Sequence, residues 1–299
     1  MSIKDLALRT YIACKERNAN RSFHLDGVAV ERNVKYGERK GQVFSIYRPE
    51  KRKLPTVVYF HGGALVGRGK FFRRSFIADI ARMGLTVLNV EYKGEAVLGA
   101  KECLNRAEDL LRFLKDNADS LKIDLDKLFF MGDELGAYVA SHLALKAPNY
   151  DMRARGCVFL SGFYDPLAHA KGTSYYSTQY HFIKRFFGVD LKTARGDSTL
   201  VPKLREMSIT RTLSEDYPPC LVVYSLRDEF IPEQGDALRE ALKAKEVSCW
   251  TYKVVYEKAY HNFHLNRNSP LSTSVMEYVN TFIKEALGGG IYRNEHREV

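Results

Sequence analysis

Short, almost wholly apolar runs recur along this chain, and helix-patterned segments separate them. The runs are "TVVYF" (56–60), "LTVLNVEY" (85–92), "KLFFMG" (127–132), "ARGCVFLSGFYDP" (154–166), "PPCLVVYSLRD" (218–228) and "CWTYKVVYEKAYHNF" (249–263). A strand that is apolar on both faces is what a parallel sheet covered by helices requires. Between the runs, "SFIADIARMG", "GAKECLNRAEDLLRFLKDNADSL", "ELGAYVASHLALKAP" and "QGDALREALKAKE" read as helices, and "PLSTSVMEYVNTFIKEAL" closes the series. This alternation predicts an α/β fold built on a doubly wound sheet. Ahead of it, "GVAVERNVKYG" and "QVFSIYRPE" alternate with period two and predict antiparallel strands.

The ends and the middle carry less pattern. Leu6, Leu8, Tyr11 and Ile12 fall near helical spacing, which predicts an N-terminal helix over 1–24 that serves as a cap. The main domain is expected over 25–287, with an irregular, aromatic, cap-like insertion at 166–215. The tail 288–299, "GGGIYRNEHREV" from Gly288, is glycine-led and charged, and is expected to fray.

With 299 residues, 45% of them hydrophobic, the chain can bury the core of one large domain. Its net charge of +10 is spread over groups such as "ERKGQ", "PEKRK", "GKFFRR" and "FIKRFFG". Without an RNA- or DNA-binding module, that distribution reads as a solvated basic surface and not a nucleic-acid face. The five cysteines, Cys14, Cys103, Cys157, Cys220 and Cys249, are scattered and show no C-x-x-C. They point to a reducing, cytoplasmic setting. The N-terminus lacks the features of a signal peptide, and no uncharged apolar run reaches spanning length. The histidines show no metal-ligand spacing and no phosphate loop is present, so neither metal nor cofactor is expected.

Open α/β sheets place their sites beyond the carboxyl ends of the strands. Four strand exits stand out. His61-Gly62-Gly63-Ala64 follows "TVVYF", and glycines there let backbone N–H groups face a developing oxyanion. Gly132-Asp133-Glu134-Leu135-Gly136 joins a strand to a helix with the G-x-S-x-G layout that lifts a nucleophile out of a sharp turn. Asp228 follows "CLVVYSLR", and His261 follows "KVVYEKAY". Taken singly, each has a plain alternative: a tight turn, a chance glycine pair, a helix-capping carboxylate, a structural histidine. Together they fall in the order oxyanion loop, elbow, acid, histidine.

In that order the chain resembles the α/β-hydrolase superfamily, and within it the hormone-sensitive-lipase-like and acetyl-esterase-like carboxylesterases. "FHGGALVG" is similar to their H-G-G-G/A loop and "MGDELGA" to their G-D-S-A-G elbow. "VEYKGEAVL" resembles the start of their V-x-Y-R-L-A-P-E segment, "SLRDEFIPEQGDALREAL" resembles their acid segment, and "HNF" stands where H-G-F is usual. The resemblance covers residues 25 to 287. It implies an eight-stranded, mostly parallel sheet with a small cap, a small-molecule ester or acyl ligand, and a possible homodimer. It implies further that Glu134 holds the nucleophile position, Asp228 the acid and His261 the base. Gly62, Gly63 and the Leu135 N–H would form the oxyanion hole, supported by His61, Ala64, Gly132, Asp133 and Gly136. Two departures are plain. Glu134 stands for the serine, and Asn262 stands for a glycine.

Three readings of Glu134 stay open. As a catalytic carboxylate it would attack directly or act as base for water; relatives on this fold, the haloalkane dehalogenases and epoxide hydrolases, place aspartate there. In a non-catalytic relative, of which the plant gibberellin receptors are a family precedent, it would pair with His261 and fill the old site. As an engineered substitution it would replace a working serine. The aromatic stretch 174–187 is read as packing, with an acyl pocket as the alternative, and Glu91 as a structural partner for an arginine or for backbone.

Overall fold

In a computed structural model, residues 24–49, 54–63, 73–93, 99–172, 182–190, 192, 200–228, 231–255, 259–290 and 294–299 are described. The expected N-terminal helix and Ala64 lie outside them, as does the first part of the aromatic stretch.

Nine strands form one sheet: β1 (Val28–Lys35), β2 (Val43–Pro49), β3 (Thr56–Phe60), β4 (Thr86–Glu91), β5 (Leu128–Asp133), β6 (Ala154–Leu160), β7 (Cys220–Ser225), β8 (Cys249–Val254) and β9 (Glu295–Glu298). Their order is β1-β2-β4-β3-β5-β6-β7-β8-β9. The first two strands pair antiparallel with each other, and β2 pairs antiparallel with β4. From β4 through β3 to β9 every pair is parallel. The expected count of eight is therefore exceeded by one. The extra strand comes from the tail that was expected to fray. Its backbone pairs with β8 and all four of its residues are exposed, so it leaves no apolar alternation to read.

Two apolar layers cover the sheet, and alternation along the strands feeds them in turn. Val58 and Phe60 of β3 join the layer that holds Cys103, Leu110 and Val139. Val57 and Tyr59 join the opposite layer, with Ile77, Val279 and Phe282. Helix α1 (Arg74–Arg82) and the long α5 (Pro270–Gly288) supply the second layer. The first layer is supplied by α2 (Ala100–Asn117), α3 (Leu135–Lys146) and α4 (Gln234–Lys243). Buried positions on α2 (Cys103, Ala107, Leu110, Leu111, Leu114) follow helical spacing. Fully burying one such leucine is worth about 1.5–3 kcal/mol.

The insertion between β6 and β7 holds short helical turns at Pro166–Gly172, Ile183–Phe187, Leu200–Glu206 and Ile209–Thr212. Phe186 and Phe187 are buried edge-on against Tyr138 of α3. Phe182 and Phe187 also meet Phe163. These rings pack the insertion onto the domain.

Candidate active site

The site begins with the turn between β5 and α3. Glu134 sits at its apex with φ 51° and ψ −118°, a left-handed conformation that non-glycine residues adopt at a cost. Its flanking glycines have a direct steric cause. A Cβ on Gly136 would lie 1.9 Å from the Phe60 carbonyl oxygen, and one on Gly132 would lie 2.4 Å from the backbone of Gly136. Strand and helix can meet this closely only without side chains. Gly62 is equally confined, since its Cβ would lie 2.7 Å from the Glu134 Cβ.

Asp133, one residue before the apex, is fully buried. Its Oδ1 accepts from the Tyr59 hydroxyl at 2.6 Å and from the Gly62 N–H at 2.8 Å. Its Oδ2 accepts from Arg73 Nε at 3.0 Å, and the guanidinium is itself buried. Burial alone would raise the Asp133 pKa; the Arg73 charge and these donors outweigh it and hold the carboxyl below its usual range. The Gly62 N–H, expected among the oxyanion donors, is thus engaged by Asp133.

The Gly63 N–H faces the elbow, but what it meets is the protein's own carboxylate: it donates to Glu134 Oε2 at 2.7 Å. The Leu135 N–H, first of α3, has no acceptor among the described residues. His261 and Asp228 are brought together as the sequence predicts, with His261 Nδ1 2.7 Å from Asp228 Oδ2. Asp228 Oδ1 accepts the Ile231 N–H at 3.0 Å, which fixes the carboxylate. His261 Nε2 lies 4.0 Å from Glu134 Oε2, an ion-pair distance. Burial opposes the imidazolium, yet Asp228 first and Glu134 second raise the His261 pKa well above its usual value. In return, against the burial penalty, His261, Lys93 and the Gly63 N–H hold the Glu134 pKa at about 2. Asn262 adopts φ 58° and ψ 31°, the left-handed region that asparagine enters more readily than most residues. The loop therefore keeps the shape that a glycine would give it.

Two residues of this site escape a reading of the sequence. Lys93, just past β4, is buried and donates from Nζ to the Gly62 carbonyl at 2.8 Å and the Gly63 carbonyl at 2.9 Å. Its signal was its place in "VEYK", the position of the arginine in V-x-Y-R. Arg73 was hidden in the basic run "GKFFRR". Glu91, read as a structural partner for an arginine or for backbone, meets backbone and a histidine: its Oε1 accepts the Lys93 N–H at 3.1 Å, and its Oε2 lies 3.3 Å from His61 Nε2. His61 Nδ1 is 2.8 Å from the Gly62 carbonyl, and the His61 carbonyl accepts from the Tyr92 hydroxyl at 2.8 Å. Among the described residues no group of three or more His, Cys, Asp and Glu side chains is set to hold a metal ion.

An elbow on β5, a glycine loop on β3, and an acid–histidine pair beyond β7 and β8 define the site architecture of an α/β hydrolase. A family model described as alpha/beta hydrolase fold matches residues 57–265. The chain belongs to that family. Among curated proteins, the acetyl esterases of Salmonella paratyphi B and Salmonella typhi are similar to it. Each is 22% identical over 246 residues, covering 78% of this chain and 72% of the relative. Among solved structures, esterase B from Lactobacillus rhamnosis superposes with a TM-score of 0.78 at 18% identity, over 96% of each chain. A bacterial heroin esterase superposes with a TM-score of 0.74 at 17% identity, over 93% of this chain and 90% of the other. The esterase branch inferred from the motifs is the branch these relatives represent.

Proposed function

We propose that this chain is an esterase-fold protein that holds a small acyl-ester-type ligand without forming an acyl-enzyme. One observation carries the reading: Glu134 Oε2 sits on the Gly63 N–H at 2.7 Å. That donor is one that a substrate oxyanion would need. Glu134 thereby acts twice against ester cleavage. It removes the hydroxyl that would attack, and it occupies one of the donors that would stabilise the intermediate. Attack by the carboxylate on an ester carbonyl would give only an anhydride. The imidazolium of His261, paired on both sides by carboxylates, has no lone pair to accept a proton. An anionic ligand would meet the Glu134 carboxylate, so the fitting ligand is uncharged. The small-ester class comes from the acetyl esterases that the chain resembles.

A second reading rests on the Asp228–His261 contact at 2.7 Å, which a purely binding site does not require. Glu134 and His261 would then activate water as a general base pair.

Hydrolysis of p-nitrophenyl acetate by the parent, Glu134→Ser and Glu134→Ala separates the two. The expected result is no turnover by the parent or by Glu134→Ala, and turnover by Glu134→Ser, which restores a hydroxyl and vacates the Gly63 N–H. A triad lacking its nucleophile loses about 10⁶ in kcat in a well-studied protease, so even a poor Glu134→Ser enzyme stands clear of the parent. Parent activity that Glu134→Ala abolishes overturns the binding reading in favour of the second.

A further inference from the structure

The Gly62–Gly63 peptide lies between two charges. Its carbonyl oxygen accepts from Lys93 Nζ at 2.8 Å, and its N–H donates to Glu134 Oε2 at 2.7 Å. The peptide is trans, so its C=O and N–H point in opposite directions and a single planar group links cation to anion. Hydrogen bonds in such a chain polarise one another. Lys93 Nζ takes the next carbonyl too, that of Gly63, at 2.9 Å.

We propose that Lys93 is a positioning residue for the elbow: it orients and polarises the Gly62–Gly63 peptide, and it joins His261 in making a carboxylate tolerable at position 134. Three observations carry this beyond a generic buried lysine. Its two carbonyl acceptors belong to the loop that carries the N–H facing the elbow, not to a remote helix end. Its ammonium is buried, where an isolated charge is strongly disfavoured and needs compensation. The anions around it are Glu134 on the elbow and Glu91 on its own strand exit. The remaining titratable groups facing this cluster are Arg73 from the start of α1, Cys103 from α2, Tyr92, His61 from the loop, Asp133 from β5 and His261 from the loop after β8. Of these only Arg73, His61 and His261 can carry positive charge. Arg73 is committed to Asp133, His61 faces Glu91, and His261 is shared with Asp228. Lys93 is therefore the cation placed to balance Glu134 through the loop itself.

A double-mutant cycle on unfolding tests the assignment. Lys93→Gln keeps an amide donor for the carbonyls but removes the charge, and Glu134→Gln removes the anion with little change of shape. Urea unfolding of the parent, each single variant and the double variant gives their coupling. The expected result is that Lys93→Gln lowers the folding equilibrium constant at least tenfold more in the parent than in the Glu134→Gln background. Lys93→Arg should recover most of that loss. Equal losses in both backgrounds overturn the proposal and leave Lys93 a loop staple. The Gly63 amide proton supplies a reading independent of global stability. Its NMR shift should move upfield in Lys93→Gln and return in Lys93→Arg; a shift indifferent to the charge at 93 refutes the polarisation. The unfolding constants report on Lys93 irrespective of whether any variant hydrolyses an ester.

Discussion

Asp133 and Arg73 show how much of the site rests on one buried ion pair. Asp133 fixes the Tyr59 hydroxyl, the Gly62 N–H and the Arg73 guanidinium at once. The side chains of Arg73 and Asp133 are both fully inaccessible. Removing one partner of such a pair strands the other's charge, at about 3–5 kcal/mol. Arg73→Met is therefore expected to lower unfolding free energy by roughly that amount in a urea titration, and a loss well under 1 kcal/mol would mean that Asp133 finds other compensation. Asp133 was legible in the sequence, because the elbow motif fixes its place. Arg73 was not, because nothing in "GKFFRR" says which basic side chain turns inward; tertiary packing decides that. Asn262 teaches the converse. The departure from H-G-F puts an asparagine where a glycine is usual, yet its φ of 58° preserves the loop shape. Asn262→Gly should leave stability within a few tenths of a kcal/mol, whereas Asn262→Val should cost about 1–2 kcal/mol in the same titration, because a β-branched residue resists this region.

At the scale of elements, the strands most legible in advance were those buried on both faces, from β3 to β8, whose apolar runs have one physical explanation. The edge was misread for the opposite reason. Residues Glu295–Glu298 bury no side chain, so the strand exists through backbone pairing and a few directed contacts. The Val255 N–H donates to the Val299 carbonyl at 2.8 Å, and the Val299 N–H to the Lys253 carbonyl at 3.0 Å. The Cys249 N–H donates to Asn294 Oδ1 at 2.9 Å, and the Tyr278 hydroxyl to Glu295 at 2.9 Å. The Arg297 guanidinium lies 5.5 Å from the centre of the Tyr252 ring. Charged side chains on such a strand also suit an edge that must not recruit another chain. Truncation after Gly290 is expected to speed hydrogen exchange of the β8 amides about tenfold or more, each tenfold corresponding to about 1.4 kcal/mol of local protection. Unchanged exchange in β8 would show that β9 contributes nothing to the sheet. The truncation should leave the dyad at Asp228 and His261 in place, because both lie on loops anchored by β7, β8 and α5 and not by β9.

Across the whole molecule, buried ionisable groups set how stability follows pH, and their signs combine in one direction on the acid side. His264 is buried without a hydrogen-bond partner on either ring nitrogen among the described residues. Burial lowers its pKa from 6.5 to about 3, and burial likewise lowers that of His142 from 6.5 to about 4. Both stay neutral in the folded chain while the unfolded chain takes up protons below pH 6.5, so acidification favours unfolding from that point. Glu134 and Glu91 act lower down. Burial works against their ionisation, but the neighbouring cations hold both at about 2 against the usual 4.5. Their contribution is complete above 4.5 and is lost as pH falls toward 2. His261 has the opposite sign: its raised pKa gives stability that is full below 6.5 and disappears only as pH climbs through the raised value. Stability should therefore decline on acidification in two stages: below about 6.5 through His264 and His142, and more steeply below 4.5, where the carboxylates add to them. A carboxylate held this far below its usual value carries on the order of 3 kcal/mol. Urea midpoints measured from pH 8 down to pH 3 check the assignment with two variants. His264→Gln should make the decline shallower from about 6.5 down to about 3, and Glu134→Gln should make it shallower only below 4.5, leaving the first stage intact. If Glu134→Gln changes neither stage, the carboxylate at the elbow is not ionised against His261, and the self-occupied oxyanion donor on which the proposed function rests fails with it.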